Sequence, residues 1–156
     1  MIDLEIPGFG RLELADLVCD YNGTLAQHGL LLPEVRGRLA RLSAELRLHV
    51  VTADTFGTVR AAVADLGCRL VVLPAEEQAE GKRRYVESLG ARHVVAIGNG
   101  RNDRRMLAAA ALGVAVCGGE GLATEALQAS AIVVRDVRDA LDLLAHPARL
   151  KATLRS

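Results

Sequence analysis

The sequence predicts an α/β domain built on one parallel sheet, with helices on both faces. Three observations lead there. Short apolar runs alternate with amphipathic stretches along most of the chain. The runs stop at Gly, Pro or polar residues, as strands do where they meet loops. One run, Leu14 to Cys19, leads straight into Asp20-Tyr21-Asn22-Gly23-Thr24-Leu25. A carboxylate, a Gly and a Thr then stand at the carboxyl end of a strand, where open parallel sheets bind ligands.

The elements follow in order. Ile2 to Ile6 and Arg11 to Leu14 flank Pro7-Gly8-Phe9-Gly10, which reads as an N-terminal β-hairpin, an arm over residues 1–14. The second arm is expected to run on into the strand carrying Asp20. Pro33 opens a helix to Leu46, with Val35, Leu39, Leu42 and Leu46 at helical spacing. Leu48 to Val51 is a strand ending at Thr52. Thr55 to Leu66 is a helix closed by Gly67. Leu70 to Leu73 is a strand stopped by Pro74, and Glu76 to Leu89 a helix stopped by Gly90. Val94 to Ile97 is a strand ending in Gly98-Asn99-Gly100, followed by a helix from Arg101 to Ala111. Gly113 to Cys117 is a strand ending in Gly118-Gly119. Helix 122–129, strand 132–134 and helix 137–144 complete the pattern, and residues 147–156 form a short helical tail. No linker or repeat divides residues 1–156, so a single domain is expected.

Composition narrows the function. Half the residues are apolar but only four are aromatic, so the core must be aliphatic. Nineteen basic residues balance nineteen acidic ones, which leaves no basic field for nucleic acid or an anionic membrane. No apolar run approaches the roughly 20 residues that span a bilayer, and the N-terminus lacks the regions of a signal peptide. Cys19, Cys68 and Cys117 show no metal-ligand spacing and are expected to be reduced and buried, which suits the cytoplasm. Seventeen of the basic residues are Arg, so Lys82 and Lys151 stand out.

Four places along the chain carry polar groups that could converge. Asp20 ends the first sheet strand, with Gly23 able to close a tight turn and backbone N–H groups of such a turn able to cradle a phosphoryl group. Thr52-Ala53-Asp54 ends the second. Lys82 follows the third, and Gly98-Asn99-Gly100-Arg101-Asn102-Asp103 follows the fourth. The set suits phosphoryl transfer. Asp20 would be a nucleophile able to form an aspartyl-phosphate. Thr52 and Lys82 would hold phosphate oxygens by a hydroxyl and a positive charge, and a hard cation would take oxygen ligands. Each group also has a plainer reading: Asp20, Thr52 or Asp54 as a helix cap, Lys82 as a solvated helix residue, Gly98 as an ordinary turn.

With order and spacing in hand, the chain resembles the haloacid dehalogenase (HAD) superfamily of aspartyl-phosphate hydrolases. Within it, the chain is similar to the phosphorylation domain of P-type ATPases, as a stand-alone protein. The Asp-Lys-Thr-Gly-Thr-Leu segment of the pumps is matched by Asp20 to Leu25, with Tyr21 and Asn22 in place of Lys and Thr. Their Thr-Gly-Asp is matched by Thr52-Ala53-Asp54, with Thr58 beyond it. Their Leu-Pro and later Lys are matched by Leu73-Pro74 and Lys82, and their Gly-Asp-Gly-x-Asn-Asp by Gly98 to Asp103 with Asn99 for the first Asp. The resemblance covers residues 14 to about 142 and implies a Rossmann-like, HAD-like fold.

It also implies roles. Asp20, Asn22, Thr52 and Lys82 would be catalytic. Gly23, Thr24, Ala53 and Lys82 would bind phosphate. Asp20, Asn22, Asn99 and Asp103 would hold Mg²⁺. Two departures bear on rate. Asn22 stands where phosphatases of the superfamily carry the acid–base Asp, whose loss costs about 10²–10⁴. Asn99 stands where the family carries a magnesium-binding Asp. Only 26 residues separate Leu25 from Thr52, which leaves no room for a cap or nucleotide domain. The site is therefore expected to be open, for a bulky substrate or for a lid from another subunit in a homo-oligomer.

The reading that follows is a Mg²⁺-dependent phosphatase of a phosphorylated substrate, slowed by Asn22. Its rival is a phosphate-binding or regulatory protein on the same scaffold. A receiver domain of a signalling relay ranks last, because Asp20 lacks the acidic neighbour that receivers carry.

Overall fold

The structure, a computed structural model, describes residues 1–54 and 57–156. The N-terminal hairpin pairs β1 (Ile2–Ile6) with β2 (Gly10–Leu14) antiparallel. Contrary to the expected continuous arm, the chain breaks at Ala15 and β3 (Asp16–Asp20) starts a different sheet. The break lets the hairpin cover one face while β3 enters the centre.

A short ribbon of β4 (Ala26–Gln27) and β5 (Leu30–Leu31) follows β3, before α1 (Val35–Leu42). Next come β6 (Arg47–Thr52), α2 (Thr58–Val63), β7 (Arg69–Val72) and α3 (Gln78–Ser88). Then β8 (Val94–Gly98), a 3₁₀ turn at Arg101–Asp103, α4 (Arg104–Ala109) and β9 (Leu112–Val116). The chain closes with α5 (Thr124–Gln128), β10 (Ile132–Val134), α6 (Val137–Ala145) and α7 (Pro147–Leu154). The expected start of the second helix at Thr55 lies outside the described residues.

Six strands form one parallel sheet in the order β10-β9-β8-β3-β6-β7. The chain winds outward from β3 to β7 on one side, then crosses to β8 and winds outward to β10. The strand order therefore reverses between β3 and β8, and a crevice for ligands opens at the carboxyl ends there.

Alternate strand residues feed two cores, as the period of two requires. Leu17, Cys19, Leu48, Val50, Val95 and Ile97 face α1, α6, α7 and the hairpin. Val18, Val51, Val94 and Ala96 face Val86 of α3 and Met106 and Leu107 of α4. The terminal segments meet: Ser156 donates its backbone N–H to the Pro7 carbonyl at 3.1 Å. The cysteines divide by position. Cys19 is buried, as expected, whereas Cys68 is half-buried and Cys117 is exposed because it lies one residue past the end of β9; all three are free.

Candidate active site

A salt-bridge triad sits at the carboxyl edge of the central strands. The Lys82 ammonium donates to Asp20 Oδ1 at 2.6 Å and to Asp103 Oδ1 at 2.7 Å. Asp20 ends β3, Lys82 is on the first turns of α3, and Asp103 closes the 3₁₀ turn after β8. All three are buried, Lys82 to 1 % exposure. A lysine so buried without partners would shed its proton. Here burial pulls its pKa down, and the two carboxylates more than offset this and raise it. Asp20 is pushed up to about 7, first by burial, then by the charge of Asp103, with Lys82 opposing.

The loop after β8 is shaped by Asp103. Its Oδ2 accepts the backbone N–H groups of Asn99 (2.9 Å) and Gly100 (2.8 Å). Gly98 makes this possible, since a Cβ there would lie 2.6 Å from the Asp103 carboxylate. Both Asp103 oxygens thus have protein partners. Asn99 donates from Nδ2 to the Gly121 carbonyl at 3.1 Å. The Thr24 hydroxyl lies 3.2 Å from Asn99 Oδ1 and 3.4 Å from Asp20 Oδ2 and ties the two loops together.

An open cleft of about 490 Å³ lies over the triad, lined among others by Asp20, Asn22, Thr52, Ala53, Lys82 and Asn99. A larger hollow of about 900 Å³, lined by Arg47, His49 and Arg69 among others, lies at the opposite edge of the sheet, and no member of the triad lines it. Asp54 and Thr58 reach the rim of the cleft, where Asp54 accepts the backbone N–H of Val59 at 3.1 Å and so caps α2.

Two expectations change. Gly23 and Thr24 do not offer free N–H groups to a phosphate: Gly23 donates to the Ala26 carbonyl at 2.8 Å and Thr24 to that of Tyr21 at 3.2 Å. The turn consumes its own donors, and the two residues line a small neighbouring cavity of about 120 Å³ instead. Asp103 is saturated by Lys82 and two backbone donors, which suits positioning better than ligation.

Sequence reasoning missed one group at the cleft. Glu120, between Gly119 and Gly121 in the loop after β9, lines it too. The signal was a lone carboxylate among glycines after a strand. It also missed a cluster at the far edge. Asp16 accepts two hydrogen bonds from Arg47 at 2.7 Å and lies 2.9 Å from His49, whose other ring nitrogen meets the Tyr85 hydroxyl at 2.8 Å.

The residues lining the cleft carry hard oxygen donors, among them the Asp20 carboxylate and the amide side chains of Asn22 and Asn99. Among the described residues no three His, Cys, Asp or Glu gather around one point. Mg²⁺ needs no such cage, because one or two carboxylates with waters and phosphate oxygens suffice. Gly23 supports the fit. With φ +80°, it leaves a space in which a Cβ would lie 2.7–2.9 Å from Asn99 and Glu120 side-chain atoms, so an amide and a carboxylate oxygen both stand where the loop after β3 turns.

No family model matches the chain. The uncharacterized protein MJ0073 of Methanocaldococcus jannaschii is 52 % identical over 62 residues, 40 % of this chain and 67 % of that protein. The probable copper-transporting ATPase HMA5 of Arabidopsis thaliana is 34 % identical over 128 residues, 78 % of this chain but 12 % of that protein. Among solved structures, the cobalt-bound deoxy-D-mannose-octulosonate 8-phosphate phosphatase of Haemophilus influenzae superposes with a TM-score of 0.69 at 18 % identity, covering 92 % of this chain and 94 % of that one. The 3-deoxy-D-manno-octulosonate 8-phosphate phosphatase of Moraxella catarrhalis, in complex with magnesium, phosphate and KDO, gives 0.67 at 17 % identity, with coverage of 92 % and 94 %. A protein of Streptomyces avermitilis assigned to the HAD family of hydrolases gives 0.67 at 17 % identity over 85 % of this chain and 83 % of that one. The chain shares its fold with these phosphatase and HAD-family hydrolase structures, and by sequence it belongs to the same family as the archaeal protein MJ0073.

Proposed function

We propose that this protein is a Mg²⁺-dependent phosphoric monoester hydrolase working through an aspartyl-phosphate on Asp20. The observation that carries the reading is Lys82, buried and shared between Asp20 and Asp103 at the sheet edge. A purely structural lysine has no need of two carboxylates at the mouth of a polar cleft, whereas a phosphoryl group needs a fixed cation beside its nucleophile.

Asp20 Oδ1 is held by Lys82 at 2.6 Å, whereas Oδ2 makes the long 3.4 Å contact with Thr24, so Oδ2 is the freer oxygen for attack. It forms a bond to phosphorus while the ester P–O bond breaks, and the leaving alkoxide takes its proton from water in the open cleft, since Asn22 has none to give. Water then attacks the aspartyl-phosphate, releasing inorganic phosphate and restoring the carboxylate. Thr52, Ala53 and Lys82 border the cleft where the phosphoryl oxygens would sit. When bound, Mg²⁺ would supply Lewis-acid stabilisation of the phosphoryl charge; Asp20, the Asn22 carbonyl and Asn99 would hold it. Metal and phosphate in the superfamily structures support this reading by analogy of fold. Asp103 would position Lys82 and the Asn99 loop. Between β3 and β6 stand only the β4–β5 ribbon and α1, which leaves the cleft open to a substrate of some bulk. Three free thiols suit a reducing compartment such as the cytoplasm.

Asn22 and Asn99 favour a second reading, a phosphate-binding or regulatory protein with little turnover. A screen of phosphomonoesters with Mg²⁺, run beside an Asp20→Asn control, separates them. Hydrolysis that Asp20→Asn abolishes supports the enzyme. Phosphate binding without hydrolysis supports the rival.

A further inference from the structure

We infer that Glu120 is a metal-binding carboxylate of this cleft, supplying the charge that Asn99 cannot. The inference rests on the phosphoryl-transfer reading above and assigns a residue that the motif resemblance does not include.

Glu120 is presented by a built turn. Gly121 donates its backbone N–H to the Gly118 carbonyl at 3.0 Å, closing residues 118–121. The turn is pinned to the nucleophile's neighbours on two sides. The Asn99 side chain donates to the Gly121 carbonyl at 3.1 Å, and Ala123 donates to the Asn99 carbonyl at 2.9 Å. On the other side Gly119 lies against Gln27 of β4, so closely that a Cβ would meet the Gln27 amide at 2.7 Å. The tip residue is thereby aimed at the loop after β3.

Its carboxylate arrives beside Asn99. A Cβ built on Gly23 would lie 2.8 Å from Glu120 Oε2, 2.7 Å from Asn99 Nδ2 and 2.9 Å from Asn99 Oδ1. Both side chains therefore stand on the same side of Gly23, one residue past the Asn22 carbonyl. Among the described residues no cation pairs with Glu120.

Charge makes the same point. The triad sets the carboxyl groups of Asp20 and Asp103 against one ammonium, and Glu120 adds a third carboxyl group to the same cleft, an excess of two carboxyl groups over cations. Asp54, also at the rim, is engaged in capping α2. A divalent cation near Asp20 and Glu120 neutralises that excess, and hard-cation sites are tuned by the number of charged ligands. The carboxylate missing at position 99 is thus restored from a different loop.

The test is direct metal binding by the whole protein, with Mn²⁺ as the EPR-visible stand-in for Mg²⁺ and competition by Mg²⁺. Wild type should bind one ion that Mg²⁺ displaces. Glu120→Gln, at an exposed position, should fold as wild type does and bind about 10- to 100-fold more weakly, as loss of a supporting carboxylate does elsewhere. Adding Asn99→Asp to Glu120→Gln should recover the affinity. If Glu120→Gln binds as tightly as wild type while Asp20→Asn loses the ion, Glu120 is not a ligand and the phosphatase reading stands. If wild type takes up no Mn²⁺ at millimolar concentration, both fall.

Discussion

Asp20 works against the fold when the metal is absent. Its pKa is pushed up to about 7 by burial, then by Asp103, against an ordinary 3.8. The sign follows from proton linkage: a carboxyl raised in the folded state stabilises fully below about pH 3.8 and loses that contribution as pH rises through 7. Metal-free wild type should therefore weaken between pH 4 and 8. Asp20→Asn should remove that decline and be the more stable protein at pH 8, by on the order of 1–3 kcal/mol, with little difference at pH 4. Thermal unfolding in a chelator across that range checks this, and a difference independent of pH would contradict it. Asn22 sets a second expectation at the same scale. Exposed at the cleft, it cannot exchange a proton, so Asn22→Asp should speed alkyl phosphates more than aryl phosphates, by up to about 10²–10⁴. Equal rates for both substrates in wild type and variant would mean that another group moves the proton. Asp20, Lys82 and Asp103 were legible because each follows an apolar strand-like run, in the order of the motifs the chain resembles. Glu120 was not, because one acidic residue in a glycine loop has no periodicity and its partners are distant in sequence.

The turn after β3 shows how an element sets chemistry. Gly23 has φ +80°, a conformation that costs other residues about 1–2 kcal/mol. Any Cβ there also collides with Asn99 and Glu120. Gly29, in the β4–β5 ribbon, has φ +77° but open space around it. Gly23→Ala and Gly29→Ala should therefore share the backbone cost, and Gly23→Ala alone should also weaken Mn²⁺ binding by displacing the two side chains. Urea unfolding and EPR titration of both variants check this, and equal metal affinities would mean that the crowding at Gly23 is relieved without moving the site. Element boundaries were read less well than element types. The first helix starts at Val35, not Pro33, because Glu34 takes φ +66°. Leu46 keeps its place in the core from outside the helix, so its helical spacing extended the expected element too far. The β4–β5 ribbon escaped notice because two-residue strands are too short to show alternation.

At the scale of the molecule, the sheet separates two polar clusters that sit at opposite ends of one strand. Asp20 closes β3 and faces the cleft. Asp16 opens it, buried against Arg47 and His49 at the far edge. The two lie about 13 Å apart at the usual rise of a strand. Alternation of apolar runs made the layers and the single sheet legible, but not the strand order, which depends on contacts between distant segments. It hid Asp16 as well, since a carboxylate at a strand start reads as a boundary residue. Burial drives the Asp16 pKa up, yet the hydrogen bonds of Arg47 and His49 prevail and hold it below the usual carboxylate range. A depressed acid stabilises above its unfolded value near 3.8, and that contribution fades as pH falls through its folded value. Asp16→Asn weakens the hydrogen bonds to His49 and to the largely exposed Arg47 side chain, so it should cost about 1–3 kcal/mol at pH 7, the scale of lost hydrogen bonds to a charged group. The cost should shrink as pH falls below 3.8 toward the folded value, where the native carboxylate takes up its proton as well. Because the cluster shares no side chain with the cleft, the folded variant should keep the wild-type Mn²⁺ affinity. Urea unfolding at pH 7 and pH 3, with metal titration at pH 7, tests both halves. A metal affinity that falls with stability would mean that the sheet transmits strain from one edge to the other and that β3 is one coupled unit.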